Sequence, residues 1–158
     1  MVDILTYYDQ HPINEHAVHE SLLREGKNLD RLVPEDLFPY DQDHYGGLDA
    51  VDALVRCASI GAGDRVLDVC SGLGGPARYL AHRHGCSVTG IDINRSRALA
   101  SRRLTRRVGL QNKVSFVCGN ATRMPFLNES FTRIVSQEAF LHVGNKVALF
   151  SNCHRVLI

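Results

Sequence analysis

The chain has 158 residues, 44% hydrophobic and 22% charged, which is the size and composition of one globular domain with a proper core. Its formal net charge of +1 excludes a global electrostatic pull toward nucleic acid or an acidic surface, so any such partner would need a local patch. The five cysteines, Cys57, Cys70, Cys86, Cys118 and Cys153, form no close CxxC pair, which argues against a disulfide framework or a cysteine zinc site and for reduced thiols in the cytoplasm.

Along the chain, the start MVDILTYYDQ has no basic residues and no apolar core, and nowhere do about eighteen apolar residues run together. The expectation is a protein neither secreted nor membrane-bound. A helix is predicted over 12–26, followed by a structured loop over 28–47 that contains Pro34, Pro39 and the polar run DQDHYGG. Residues 1–47 thus read as an N-terminal cap, and residues 48–158 as the main domain. Leu48, Val51, Leu54, Val55 and Ala58 lie at amphipathic helical spacing and predict a helix over 48–60, closed by GAGD.

From there strands and helices alternate. Strands are predicted at 65–70, 87–91, 113–118 and 131–136, and helices at 76–83, 95–108, with Asn94 as N-cap, and 146–157. Short connections between alternating elements predict an α/β fold: a Rossmann-like, doubly wound, mostly parallel sheet with helices on both faces. The final HRVLI leaves a four-stranded sheet with an open edge, so the expectation is a fold truncated after the fourth strand or a second copy that completes the sheet.

Residues 66–81, VLDVCSGLGGPARYLA, carry the chemistry. Gly72, Gly74 and Gly75 follow the first strand of the alternation, where open parallel sheets hold ligands, and glycine permits close backbone approach. The stretch satisfies GxGxx(G/A), and Asp92 follows at a distance suited to ribose hydroxyls. Two residues weigh against NAD. Asp68 puts a carboxylate where a pyrophosphate would rest, and Pro76 removes an N–H from the helix start that would cradle it. Both suit a cationic ligand without phosphate, and S-adenosylmethionine is such a ligand, with Asp68 complementing its amino-acid end. An NAD-dependent oxidoreductase stays open as the alternative that the glycine fingerprint alone supports.

The segments VLDVCSGLGGPARYLA, VTGIDIN, VSFVCGNATRMPF and FTRIVSQEAFLHV occur in order and resemble the motifs of class I S-adenosylmethionine-dependent methyltransferases. The last of them, with DQDHYGG, looks most like small-molecule enzymes of the sarcosine/dimethylglycine and phosphoethanolamine N-methyltransferase type. This resemblance implies that Gly72 and Gly74 lie against the methionine part and that Asp92, with Ile93 beside it, binds the ribose. It further implies that Asn120 and Ala121 meet the adenine, that Gln137 faces the cofactor amine, and that Glu138 and His142 border a small-molecule methyl acceptor, an amine before other classes. Met124 and Pro125 read as space-filling. Cys70 and Ser71 depart from the pattern, which has a glycine there, and the absent later strands leave a binding domain without turnover as a second alternative.

Other readings are blander. His44 is a further candidate base, and Tyr7, Tyr8, Tyr40 and Tyr45 could border a cation through their ring faces or simply pack the cap. Arg95, Arg97, Arg102, Arg103, Arg106 and Arg107 read as a solvated helix face rather than a nucleic-acid site, and His82, His84 and Cys86 lack a second pair of ligands for a metal.

Overall fold

The computed structural model describes residues 4–158, so residues 1–3 of the expected cap lie outside the described residues. Four strands, β1 (Arg65–Val69), β2 (Ser87–Asp92), β3 (Val114–Cys118) and β4 (Arg133–Val135), form one sheet in the order β3-β2-β1-β4. All three pairings are parallel, with Val66 opposite both Val88 and Arg133 and Ile91 opposite Val117. β1 lies at the centre, and its residues after Arg65 are all buried, as a strand covered on both faces requires. The expected α/β fold is the fold observed. β4 is shorter than the sequence suggests, because Phe131 leaves the ladder and bridges to Leu157 instead.

Helix α4 (Gly47–Ala58) and helix α5 (Gly75–His84) cover one face of the sheet, where Val51, Ala77 and Leu80 meet Val66, Val88 and Val114. Helix α7 (Lys146–Val156) covers the other, with Leu149 and Val156 packed on Leu67, Val69 and Ile91. The alternation of inward residues along each strand therefore feeds two separate cores. Helix α6 (Arg95–Arg107) runs beside β3 and starts at Asn94, whose side chain accepts the Arg97 N–H at 3.0 Å as expected of an N-cap.

The cap contains α1 (Ile4–Asp9), α2 (Glu15–Arg24) and the short α3 (Pro34–Leu37). Val18, Leu22 and Leu37 pack with Ala100 and Leu104 of α6 and with Leu73 of the glycine turn. The sequence pattern predicts neither α1 nor α3. α1 has no buried residue of its own and little apolar periodicity, and α3 is a single turn begun by Pro34.

Candidate functional site

A cavity of about 260 Å³ opens at the carboxyl ends of all four strands, the place where parallel sheets leave room between diverging loops. Asp68 and Cys70 reach it from the end of β1, Asp92 from β2, Asn120 from the turn after β3, and Gln137 from the turn after β4. Leu5 and Tyr8 of α1 and the loop residues Asp41, Asp43 and His44 complete its lining.

Asp92 is the hinge of the arrangement. One carboxylate oxygen accepts the Gly72 N–H at 2.8 Å and the other accepts the Asn94 N–H at 2.8 Å, so the glycine turn and the start of α6 are both fastened to it. Burial pushes the Asp92 carboxyl upward, and those two N–H groups and the Arg97 guanidinium pull it back. Gly72 holds φ +53 beneath the Arg97 guanidinium, and a Cβ there would lie 3.3 Å from Nη2. Asp68, 4% exposed, has no donor for its Oδ2, and burial together with the nearby Asp92 charge pushes its carboxyl up to about 7.

Two side-chain acceptors of cavity-lining residues, Asp68 Oδ2 and Gln137 Oε1, are buried without a partner, as is Ser71 Oγ, which lies beside Gly90 and the Phe116 ring. A folded chain seldom leaves such groups unpaired, since each costs about 1–3 kcal/mol unless something else satisfies it. The amide oxygen can only accept, and so can the Asp68 carboxyl once it is ionised. Cys70 also lines the cavity, at φ +61, and burial pushes its thiol up to about 12, so it packs as a neutral group.

Of the residues singled out in the sequence, Asp68, Gly72, Asp92, Ile93, Asn120, Ala121, Gln137, Glu138 and His142 all line this one cavity. Gly74 does not. Its φ of +77 lies on the far side of the turn, where a Cβ would overlap the Phe116 ring, so packing rather than ligand approach demands glycine there. Glu138 holds φ +54 and accepts the Tyr45 N–H at 3.0 Å, while the His142 ring meets the Tyr8 ring edge-on at 5.6 Å. His44 reaches the cavity as well, between Gln42 Oε1 at 3.1 Å and Gln137 Nε2 at 3.4 Å. Among the four cap tyrosines only Tyr8 lines it, with its ring on the Arg97 guanidinium at 5.1 Å; Tyr45 is 86% exposed and Tyr40 bonds to Glu25.

Three residues have roles that the sequence pattern does not announce. Arg97, which reads in the sequence as part of a solvated arginine face, is 4% exposed and bonded to Asp43 and to the Ile13 carbonyl. Asp41 is buried against Arg78, which spends its guanidinium on Asp41, Leu73 O, Ser101 O and Thr105 Oγ1. For the two arginines a weak signal is present: their helical positions fall on the same faces as Ala100, Leu104 and Ala81, which are buried. Of the other histidines and arginines singled out, His82 meets Glu35 at 2.6 Å, Arg103 pairs with Glu15 and Arg102 donates to the Phe116 carbonyl, while His84 lies 3.6 Å from Asp52 with its Nε2 unpaired.

Comparison with known proteins places these features in context. Residues 66–158 match the family described as a methyltransferase domain. The sterol 24-C-methyltransferase of Eremothecium gossypii is 36% identical over 104 residues, covering 66% of this chain and 28% of that protein. The sarcosine/dimethylglycine N-methyltransferase of Aphanothece halophytica is 35% identical over 96 residues, covering 61% and 35%. The chain therefore spans about a third of the length of these relatives. Among solved structures, the Haemonchus contortus phosphoethanolamine N-methyltransferase 2, in complex with S-adenosyl-L-methionine, superposes with a TM-score of 0.71 at 22% identity, over 99% of this chain and 34% of that one.

Proposed function

The chain belongs to the methyltransferase-domain family, and from that premise we propose that it binds S-adenosylmethionine and directs its methyl group to a small molecule, an amine in the reading that the site favours. One observation carries the proposal. Two buried acceptors without donors, Asp68 Oδ2 and Gln137 Oε1, belong to residues that line one cavity, beside a glycine turn where Pro76 withholds an N–H. Such a site repels a pyrophosphate and attracts an ammonium or sulfonium.

In this reading Asp92 holds the ribose hydroxyls while Gly72 keeps its carboxylate in place, Ile93, Asn120 and Ala121 border the adenine, and Asp68 and Gln137 receive the amino group. Gly72 leaves room for the methionine part. When bound, S-adenosylmethionine supplies an electrophilic methyl on a sulfonium. The chain's own residues have to align an acceptor with it and exclude water, since an in-line displacement with a good leaving group needs little further chemistry. Glu138 and His142 stand where an acceptor would enter. Glu138 is held by Tyr45 through one oxygen and presents charge to an ammonium, and His142, seated against Tyr8, is placed to take the proton that an amine must lose before attack.

The same reading treats residues 1–47 as a cap on the domain formed by 48–158, and assigns the chain to the cytoplasm because its five cysteines are all free. Among the described residues β4 is an edge strand, and an edge strand is a surface for pairing; a second copy of the chain is the partner we propose there.

Calorimetric titration with S-adenosylhomocysteine, beside NAD, tests the core of the proposal. Micromolar binding of the first and none of the second is the expected result, followed by methyl transfer to sarcosine or dimethylglycine detected by mass. Preference for NAD would overturn the assignment, and binding without transfer to any amine would reduce it to a binding domain.

A further inference from the structure

The unpaired buried atoms around the cavity are not all acceptors. Arg97 is 4% exposed and lines the cavity, and its Nε–H has no acceptor. Its other groups are committed: Nη1 donates to the Ile13 carbonyl at 3.3 Å, Nη2 to Asp43, and the Tyr8 ring lies on the guanidinium plane. The other Asp43 oxygen lies 3.6 Å from His11 Nδ1, which itself accepts the Ile13 N–H at 3.3 Å. Nε is therefore the one guanidinium nitrogen left without a partner, and it lies beside the Gly72 turn, which lines the same cavity.

Among the residues that line the same cavity, Asp68 Oδ2 and Gln137 Oε1 lack donors. Unpaired acceptors and an unpaired cationic donor among the residues of one cavity are what a zwitterion needs. Building on the proposed S-adenosyl site, we propose that Arg97 reads the carboxylate at the amino-acid end of the ligand, with Nε–H as the donor, opposite the carboxylate and amide that receive its ammonium. Asp43 accepts from Nη2 and leaves Nε–H without an acceptor, so the two contacts use different N–H groups of one guanidinium. Its part is to hold the guanidinium edge so that Nε faces inward, which makes Asp43 a positioning residue. A buried charge-assisted hydrogen bond of this kind outweighs a neutral one and would contribute discrimination as well as affinity.

The test compares two probes on the full chain by calorimetry: S-adenosylhomocysteine, and its decarboxylated analogue, which keeps the amine and the adenosine and lacks only the carboxylate. For Arg97→Gln, the proposal expects affinity for S-adenosylhomocysteine to fall by about tenfold or more, while affinity for the decarboxylated analogue stays within about twofold of wild type. Arg97→Lys, which keeps the charge, should recover part of the loss for the first probe alone. Binding of the analogue also reports that the variant site is folded. Equal losses for both probes, or no loss for either, would overturn the proposal and leave Arg97 as a brace for the cap. If wild type binds the analogue as tightly as S-adenosylhomocysteine, the carboxylate is not read and the proposal fails while the cofactor site stands. If wild type binds neither probe, the cofactor reading falls and takes this one with it.

Discussion

The carboxylate of Asp92 and the backbone N–H of Gly72 are joined by a hydrogen bond of 2.8 Å, which ties the end of the second strand to the turn that follows the first. The glycine turn is thereby built on the residue proposed to face the ribose. Asp92→Ala removes a ligand contact and releases both Gly72 and Asn94 at once. The expected loss in affinity for S-adenosylhomocysteine is about 10- to 100-fold, from one or two charge-assisted hydrogen bonds. Calorimetry on wild type and variant checks it, with NAD as the control ligand.

Asp68 predicts a pH dependence with a definite sign. Its carboxyl is pushed up to about 7 in the folded chain from an ordinary value of 3.8, so between those values the folded state holds a proton that the unfolded state has lost. Stability from this group is therefore full below about pH 4 and is lost as the pH rises toward about 7. Over that window the loss runs at about 1.4 kcal/mol for each pH unit. Asp68→Asn should be more resistant to urea than wild type at pH 8, with the gap closing toward pH 5, and should bind S-adenosylhomocysteine more weakly. Urea midpoints at the two pH values test the first part, and an unchanged gap would refute it.

The buried pair of Arg78 and Asp41 should show strong coupling. Both side chains are wholly enclosed, 2.8 Å apart, and removing either leaves the other as an uncompensated charge. Arg78→Met and Asp41→Asn are each expected to cost about 3–5 kcal/mol. The double variant should cost less than the sum of the two. Denaturant unfolding in a double-mutant cycle measures the difference.

Gly74 separates packing from ligand contact. A methyl group at this position, held at φ +77, would enter the Phe116 ring, so Gly74→Ala should lower stability by about 2 kcal/mol or more. Phe116→Leu in the same chain should restore part of it. If the substitution instead weakened S-adenosylhomocysteine binding without a loss of stability, Gly74 would belong to the site after all.

Much of the fold is legible in the sequence because local rules and tertiary demands agree there. The apolar run VLDV forms a central strand, Asn94 caps a helix with its own side chain, and Asp92 stands at the end of a strand beside a glycine turn. Where ends of consecutive strands meet in a parallel sheet, a series of strand-end residues is already a series of neighbours. That is why Asp68 and Asp92, named from their place along the chain, and Asn120 and Gln137, named from the resemblance to a known family, line one cavity.

The sequence by itself therefore determined the alternation, the parallel sheet and the acidic strand ends, since these follow from side-chain periodicity and from where glycine must stand. Only the tertiary structure decided what closes the cavity and which atoms there are left unpaired. Arg97 and Arg78 look alike on paper, two arginines in amphipathic helices, and Gly72 and Gly74 look like one motif. Arg78 is saturated by five hydrogen bonds while Arg97 keeps a free donor, and Gly72 faces the cavity while Gly74 faces Phe116. Those distinctions depend on contacts between segments up to 84 residues apart, such as Arg97 with Ile13, and no local pattern encodes the position of so distant a partner.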